Sequence, residues 1–356
     1  MYTAINDIFS QRNNFLIVGL TGRVGSGCST VADYMSQKKN ALNVIEATLG
    51  DHPTDNARKR NIIYNYFNEN WVPFTVIRVK DIITSFILEY DLSSINEYLK
   101  KHKIGLNSID DWKEKVDRNI EVLSIVNNYK NSDFDKIDFA YKYITDELPS
   151  IADDLKNHIS EKNYRTYSKI FQAFGDNIRK SGKITSEEQI DSSIYSIAQR
   201  INLIIKLIRQ YNSKNNIKDY FVIDAIRNPF EALFFRERYS SFYLFAIKCS
   251  EDDRQDRLIK GLNLNYKDIT DQDDKENPKG SPTKSFEIFV SQNIKTCIEK
   301  ADIHLINNGN FDNTDHREIK GQIIKYISLI QHPGLITPTE DEKFMQLAFV
   351  AKFVQR

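Results

Sequence analysis

The chain has 356 residues, with 49 basic and 49 acidic side chains and a formal net charge of zero. It therefore lacks the positive excess typical of proteins that bind nucleic acid or anionic membranes through bulk charge. Its three cysteines are too few and too scattered for a disulfide framework. We find no signal-peptide pattern and no apolar stretch near the ~18 residues of a membrane-spanning helix. Composition thus predicts a soluble cytoplasmic protein with no membrane partner, built as one large or two ordinary domains.

The most informative stretch is FLIVGLTGRVGSGCST, residues 15–30. An apolar run, a glycine-rich segment and a helical pattern favour a buried strand, a tight turn and a helix start, where backbone N–H groups bind phosphate. The spacing matches the phosphate-binding loop G-x-x-x-x-G-K-[ST], except that Cys28 replaces the lysine. The alternative is a glycine-rich turn without a ligand. The predicted nucleotide-binding residues of this loop are Gly22, Arg23, Val24, Gly25, Ser26, Gly27, Cys28, Ser29 and Thr30.

The rest of the chain alternates strand and helix patterns, which predicts a parallel sheet with helices on both faces, in three layers. Strands are predicted at 15–20, 43–49, 73–79, 219–224, 241–249 and 302–307. Helices are predicted at 29–38, 55–70, 80–90, 166–182, 190–211, 229–237, 252–260, 286–300 and 315–330, with a mobile loop over 263–285. Residues 92–164 are poor in glycine and have apolar residues at helical spacing, so they are predicted to be a helical insertion.

Two predicted helical features involve apolar clusters. A capping box at 185–188 precedes a stripe that faces either the core or another subunit, which leaves a homo-oligomer open. The stripe consists of Ile190, Ile194, Ile197, Ile201, Ile204, Ile208 and Tyr211. In the insertion, the cluster of Trp112, Ile120, Leu123 and Ile125 is interpreted as helix packing rather than a ligand site.

Two oxygen-bearing residues form a predicted Mg²⁺ site. Ser29 follows Cys28, so its hydroxyl takes the position of the loop Ser/Thr that binds Mg²⁺. Asp224 ends the apolar strand DYFVID, where an acid holds Mg²⁺ or its water. The alternative for Asp224 is a cap on the following turn.

Arg227 and Arg179 are the predicted catalytic cations, beside Asp224. Arg227 lies just beyond a strand's carboxyl end, where open α/β sheets bind ligands, and its planar fork suits phosphate oxygens. A structural salt bridge is the alternative. Arg179 shares a helical face with Asp176, so the two side chains either pair with each other or serve the site.

Two further groups are candidate nucleotide-binding residues. Arg254, Arg257 and Lys260 recur every three residues on one helix and form either a solvated face or a lid over phosphate. Asn307 and Gly309 follow the last predicted strand, in a turn that is a candidate contact for the nucleotide base.

These residues, in this order, resemble the P-loop kinases of the nucleoside-monophosphate and dephospho-coenzyme A kinase-like group. The matching stretches are GLTGRVGSGCST, FQAFGDNIRKSG, FVIDAIRNPFEALFFRER, EDDRQDRLIKG and ADIHLINNG. The resemblance implies an α/β P-loop NTPase fold in which the loop holds the donor phosphates. It also implies that Arg227 and Arg179 face the acceptor, that the basic helix covers the site, and that the turn 307–309 lies near the base.

GSGCST, with cysteine in the lysine position, looks like the N-terminal domain of the large deoxycytidylate deaminase-like proteins of bacterial antiphage defence. This likeness implies a kinase-like domain over 1–331, a linker over 332–338 and the first helix of a zinc deaminase domain over 339–356. The zinc motifs H-x-E and P-C-x-x-C are incomplete, because no cysteine follows Cys297 and the match at 316–318 is fortuitous. We therefore expect no zinc here, and expect the chain to be a piece of a longer protein, through truncation or a disrupted gene.

Cys28 cannot supply the charge that a loop lysine contributes to the β- and γ-phosphates. We therefore expect a nucleotide-binding regulatory domain that binds Mg²⁺ with ATP or another (d)NTP and is weak or inactive in phosphoryl transfer. One alternative is an active kinase in which Arg23 or a lid residue replaces the lysine. Another is an interaction module whose helical insertion binds protein or RNA. A redox-sensitive Cys28 is a further hypothesis, since a helix N-terminus lowers a thiol pKa.

Overall fold

The computed structural model describes residues 13–44, 54–101, 109–160, 164–276, 290–309, 312 and 316–354. Across these residues the sheet has five strands, all parallel, in the order β2-β3-β1-β4-β5. The strands are β1 (Phe15–Thr21), β2 (Thr75–Arg78), β3 (Asp219–Asp224), β4 (Phe242–Lys248) and β5 (Ile303–Ile306). The predicted α/β fold with a parallel sheet is confirmed.

Helices separate the strands along the described part of the chain. The first group is α1 (Cys28–Ser36), α2 (Lys39–Leu42), α3 (Asp55–Asn70), α4 (Val79–Ile87), α5 (Leu92–Lys101), α6 (Trp112–Asn127), α7 (Phe134–Lys142) and α8 (Leu148–Ser160). The second group is α9 (Tyr164–Ser181), α10 (Ser196–Asn215), α11 (Pro229–Arg238), α12 (Glu251–Leu262), α13 (Tyr266–Glu276), α14 (Ile294–Glu299), α15 (Arg317–Gln331) and α16 (Glu340–Val354). None of these described helices is long and apolar enough to cross a membrane.

Alternate side chains of the central strands enter two separate cores, one on each face of the sheet. Ile17 and Phe221 belong to the first core, which contains side chains of α4 to α11. Val18 and Val222 belong to the second core, with side chains of α1 and α15. The strands are therefore apolar on both faces, as a parallel sheet covered by helices requires, and the arrangement has three layers.

The insertion predicted over 92–164 is helical throughout its described part, which comprises α5 to α8, a 3₁₀ turn at Tyr129–Asn131 and a π-helical turn at Tyr143–Glu147. Trp112 and Ile125 are buried, as the packing interpretation expects. Ile120 is 49% exposed, so its inclusion in that cluster was wrong. Trp112 and Ile17 belong to one continuous core. The insertion is therefore packed into the main body of the fold.

The helix predicted behind the capping box begins later, at Ser196, after a 3₁₀ turn at Asp191–Tyr195. The segment instead folds back on α9, because the Ile190 N–H donates to the Lys180 carbonyl oxygen at 2.7 Å. Ser186 Oγ accepts from the Glu188 N–H in a local turn, a bond that competes with helix capping. The later part of the stripe faces the first core: Ile197, Ile201, Ile204 and Ile208 are buried.

The loop predicted over 263–285 contains α13 in its described part, so that prediction was wrong there; residues 277–285 lie outside the described residues. Ile269 is the one buried apolar side chain of α13. The sequence of this helix therefore has no amphipathic pattern that would predict it. The helix is held by ion pairs, including those of Asp273 with Arg23 and Arg254. Such pairs join distant parts of the chain and leave no local pattern.

The structure describes two other predicted elements only in part. Most of the strand predicted over 43–49 lies outside the described residues, and Asn43 has a left-handed backbone. The helix predicted over 286–300 is described from residue 290, and its regular part is α14, capped by the Asn293 side chain. The helices α15 and α16 flank residues 332–339, near the predicted linker. The assignment of these parts to separate domains stays a prediction.

Candidate functional site

The carboxyl ends of the parallel strands meet at one edge of the sheet and surround a cavity of about 670 Å³. β1 leads directly into the glycine-rich loop 22–27, and β3 ends at Asp224. In the sheet, β2 and β3 lie on one side of β1, and β4 and β5 lie on the other side. The strand order therefore reverses next to β1, and open α/β sheets bind ligands at such a reversal. The cavity volume lies in the ordinary range for a small-molecule site.

Most of the residues predicted for the site lie together in this cavity. The lining includes Gly22, Arg23, Val24, Gly25, Gly27, Cys28, Ser29, Thr30, Arg179, Asp224, Arg227, Arg257 and Asn307. Four predicted residues, Ser26, Arg254, Lys260 and Gly309, are not among its lining residues. Ser26, within the loop, is buried, and so is Arg254, which donates to the Val24 carbonyl oxygen. They help to shape the loop rather than face the cavity.

The loop has a path that side chains would obstruct. Gly27 has φ of +98°, and a Cβ there would lie 2.1 Å from Asn307 Nδ2. A Cβ on Gly22 would lie 2.4 Å from Ser26 Oγ and 2.7 Å from the Ile247 carbonyl oxygen. These contacts explain physically why glycine stands at both positions.

The carbonyl oxygens of the loop accept hydrogen bonds from side chains that pack around it. Asn307 Nδ2 donates to the Ser26 oxygen at 2.8 Å, and Arg257 Nη1 donates to the Gly25 oxygen at 3.3 Å. Arg257 also holds the turn after β5, since its Nη2 and Nε donate to the oxygens of Asn307 and Gly309 at 2.8 Å each. Gly27, the N-cap residue of α1, has no side chain with which to cap the first-turn N–H groups, which are the kind of donors that phosphate accepts from.

Ser29 and Asp224 are joined directly: Ser29 Oγ donates to Asp224 Oδ2 at 2.7 Å. Asp224 is 7% exposed, and its other oxygen, Oδ1, is buried without a hydrogen-bond partner. Burial raises the pKa of this carboxyl, while Ser29, Arg78 and Arg227 act in the opposite direction. A buried carboxylate oxygen without a donor, beside a hydroxyl, offers the hard oxygen ligands that Mg²⁺ prefers.

Cys28 lies in the lining with its Sγ 3.8 Å from Ser26 Oγ. Burial, followed by the negative charge of Asp224, raises the pKa of its thiol to about 12. The thiolate is therefore a negligible species at neutral pH, which argues against a reactive, redox-sensing thiol. The direction of this shift is opposite to the lowered pKa that the redox hypothesis expects, because burial and Asp224 disfavour the thiolate.

Both predicted catalytic arginines are paired with carboxylates from other helices. Arg227 Nη1 donates to Glu276 Oε1 at 2.9 Å. Arg179, 3% exposed, donates from Nε to Glu231 Oε1 at 2.9 Å and from Nη1 to Asp176 Oδ1 at 3.4 Å. The predicted pairing of Arg179 with Asp176 is therefore present, although the buried Glu231 is the closer partner. Both arginines also line the cavity.

Arg23 and Arg254 share an acidic cluster with Glu251 of α12 and Asp273 of α13. Arg23 pairs with Glu251 at 2.7 Å and Asp273 at 2.6 Å. Arg254 pairs with the same two carboxylates and donates to the Val24 carbonyl oxygen at 3.2 Å. Two carboxylates thus neutralise the two guanidinium groups. Arg23 is held toward this cluster, which weakens the hypothesis that it replaces the loop lysine.

One face of α9 forms the cavity wall opposite the loop. Its lining residues recur at helical spacing: Tyr164, Tyr167, Ser168, Phe171, Gln172, Gly175 and Arg179. The Tyr167 and Phe171 rings lie 4.5 Å apart, and both amide atoms of Gln172 are buried without a hydrogen-bond partner. Apart from Arg179, sequence reasoning missed this wall, because an aromatic stripe looks the same whether it faces a core or a cavity.

Cations near β2 were also missed. Arg78, Lys80 and Lys156 line the cavity, and Lys80 pairs with Asp153. Asp81 is buried beside them, and desolvation raises its pKa to about 7. In the sequence these residues are ordinary charged positions at the end of a strand and on helices. Only the fold brings them to the wall that also holds Tyr167.

Comparison of the sequence with protein-family models finds no match, and comparison with curated proteins finds none either. The resemblance to the P-loop kinases therefore depends on the motif residues alone.

Proposed function

We propose that this protein binds a nucleoside phosphate together with Mg²⁺ on the loop 22–30, as a kinase-like domain with weak or absent phosphoryl transfer. The observation that carries the proposal is the 2.7 Å hydrogen bond from Ser29 Oγ to Asp224 Oδ2 at the mouth of the glycine-rich loop. A loop hydroxyl beside a strand-end carboxylate is the pair that holds Mg²⁺ in P-loop NTPases. Ser29 and Asp224 would hold the ion, which would neutralise phosphate charge.

The described residues contain no cluster of three or more His, Cys, Asp or Glu side chains that suits a metal ion. Mg²⁺ in nucleotide sites needs fewer protein ligands, because phosphate oxygens and water complete its coordination. The proposal therefore requires only the two oxygens named above. The Asp224 Oδ1 atom, buried without a partner, supplies an additional acceptor for the ion or its water.

Weak transfer follows from the charges around Cys28. The neutral thiol replaces a lysine, Arg23 is paired with two carboxylates, and Arg227 is paired with Glu276. Electrostatic stabilisation of the transferred phosphoryl group is usually the largest catalytic contribution, so its reduction favours binding over turnover. The resemblance to deaminase-linked defence proteins adds the proposal that nucleotide occupancy regulates a deaminase.

The hypothesis of an interaction module has less support. Apolar side chains of the insertion, such as Ile95, Trp112 and Val122, are buried in the same core as the sheet. An apolar docking face for protein would require such side chains to be exposed.

The test is calorimetry with ATP, GTP and the four dNTPs, and with the corresponding monophosphates and diphosphates, each with Mg²⁺ and then with a chelator. We expect binding by at least one nucleotide, and a loss of about tenfold in affinity for Ser29→Ala that disappears without Mg²⁺. Ser36→Ala is the matched control, because Ser36 lies on the same helix and its Oγ donates to the Asp33 oxygen. If the Ser29 variant binds as tightly as the unaltered protein, the metal assignment is wrong.

A transfer assay with radiolabelled donor and each deoxynucleoside monophosphate separates binding from catalysis. Binding without transfer supports the regulatory proposal. Transfer at the ~1–100 s⁻¹ of ordinary kinases would contradict it and support an active kinase.

A further inference from the structure

Glu276, the last residue of α13, has its carboxylate directly against the glycine-rich loop. The residue is 0% exposed, its Oε2 accepts from the Val24 N–H at 3.3 Å, and its Oε1 accepts from Arg227 Nη1 at 2.9 Å. Gln272 Nε2 donates to the same Oε1 at 3.2 Å. A loop N–H and an arginine fork are the groups that a phosphate oxygen would use, so one carboxylate already occupies both.

The position of the Glu276 carboxylate along a bound phosphate chain follows from the part of the loop that it contacts. In phosphate-binding loops, the side chain at the position of Cys28 reaches the β- and γ-phosphates. Val24 and Arg227, which both donate to Glu276, line the same cavity as Cys28. A phosphate chain that reaches Cys28 therefore meets the groups that Glu276 occupies, at the end furthest from the nucleoside.

This end of the site has little positive charge left for a third phosphate. Arg227 is paired with Glu276, while Arg23 and Arg254 share Glu251 and Asp273. Arg257 donates to the carbonyl oxygens of the loop and of the turn after β5. A terminal phosphate there would meet a buried carboxylate without the compensating lysine, and like charges at close range repel strongly in a low-dielectric site.

We propose that Glu276 is a specificity-determining residue that limits the phosphate chain, so that the site takes nucleoside monophosphates and diphosphates in preference to triphosphates. This inference rests on the proposed function, because it assumes that the loop binds phosphate. It departs from the expectation of a bound triphosphate. It assigns the selectivity to one side chain of α13 rather than to the loop itself.

The test uses pyrophosphate and tripolyphosphate, which lack a base, so that no knowledge of the nucleoside is needed. Calorimetry with Mg²⁺ on the full chain is expected to show pyrophosphate binding about tenfold tighter than tripolyphosphate. Glu276→Gln keeps the shape of the side chain and removes its charge. We expect it to tighten tripolyphosphate binding about tenfold and pyrophosphate binding about twofold.

The matched control is Asp271→Asn, which removes the same charge from the same helix. Asp271 is 43% exposed and pairs with Arg165 at 2.6 Å, and neither residue lines the cavity. We expect no change in either affinity. Melting temperatures of all variants check the fold; if Glu276→Gln does not fold, tripolyphosphate binding at least as tightly as pyrophosphate to the unaltered protein still overturns the inference.

Three results would overturn the inference. Tripolyphosphate binding more tightly than pyrophosphate to the unaltered protein would show that the carboxylate excludes nothing. Equal weakening of both ligands by Glu276→Gln would show that Glu276 only positions Arg227. The absence of binding by either polyphosphate and by every nucleotide would refute the proposed function itself, whereas binding without the expected ratio refutes this inference alone.

Discussion

Cys28 occupies the one loop position whose side chain normally carries charge to the phosphates. In this protein the thiol is neutral, with a pKa of about 12, and its charged neighbours are Asp224, Arg227 and Glu276. A lysine placed at position 28 therefore measures how much nucleotide affinity and phosphoryl transfer the loop lacks without this charge. The neighbouring carboxylates favour the charged form of an ammonium group placed there.

We predict that Cys28→Lys increases affinity for Mg-ATP about tenfold and makes phosphoryl transfer measurable, because the ammonium offsets the charge of Glu276. Calorimetry and the radiolabel transfer assay check the two parts. Cys28→Ser is the control, since it changes the atom and adds no charge, and it is expected to leave both unchanged. A lysine variant that folds but gains neither property would show that charge at this position is not what limits the site.

Asp81 provides a prediction on pH. Burial raises its pKa to about 7, against the effects of Lys80 and Arg78, while Asp153 and Asp224 raise it further. Because the folded-state pKa lies above the unfolded one, ionisation opposes folding from about pH 4 upward and the cost is complete above about pH 7. Asp81→Asn should therefore raise the free energy of unfolding at pH 8, by about 4 kcal/mol at most, and change little at pH 4.

Urea denaturation at pH 4, 6 and 8 measures this dependence. Asp55→Asn is the comparison, because that carboxylate is 87% exposed and is not among the groups that act on Asp81, so its replacement should change the free energy of unfolding by less than about 1 kcal/mol at each pH. A constant effect of Asp81→Asn from pH 4 to pH 8 would contradict the assigned ionisation.

At the scale of elements, α10 separates what periodicity can predict from what it cannot. The stripe correctly placed Ile197, Ile201 and Ile204 in the core, because a 3.6-residue period reports which face is buried. It placed Ile190 there as well, where a non-local hydrogen bond to the Lys180 carbonyl oxygen ends the pattern. Local sequence carries no signal for that bond.

Two matched substitutions test this boundary. Ile204 is 1% exposed, so Ile204→Ala should lower the free energy of unfolding by about 2–4 kcal/mol through lost burial and a cavity. Ile190 is 39% exposed, so Ile190→Ala should cost less than about 1 kcal/mol. Urea denaturation measures both. Equal costs would mean that the stripe predicted from the sequence is the correct one.

The site shows the same division between local and distant information. Gly22, Cys28 and Ser29 were recognisable because one short segment contains the strand, the loop and the start of the helix. Asp224 and Arg227 were recognisable because a strand end is a local signal. Glu276 was not, because its helix has one buried apolar residue and is held by ion pairs to distant arginines.

At the scale of the whole molecule, one core connects the sheet with the helical insertion. The core on one face contains Ile17 of β1, Phe221 of β3 and Trp112 of the insertion. The core on the other face contains Val18 and Val222 of the same strands. Since the central strands belong to both cores, neither face can lose its packing without exposing the sheet. The insertion should therefore unfold together with the rest of the fold.

The two tryptophans of the chain report on these two faces separately. Trp112 Nε1 donates to the Tyr90 carbonyl oxygen at 3.0 Å in the first core, and Trp71 packs at the other face with its ring 6.1 Å from that of Phe74. Trp71→Phe leaves fluorescence from the insertion alone, and Trp112→Phe leaves fluorescence from the opposite face. We predict that in each variant the urea midpoint of fluorescence coincides with that of far-ultraviolet circular dichroism measured on the same variant, as for one cooperative transition. A Trp112 fluorescence midpoint at a clearly lower urea concentration than that of circular dichroism would instead establish the insertion as a module that unfolds on its own. It would then support a separate binding role for residues 92–164.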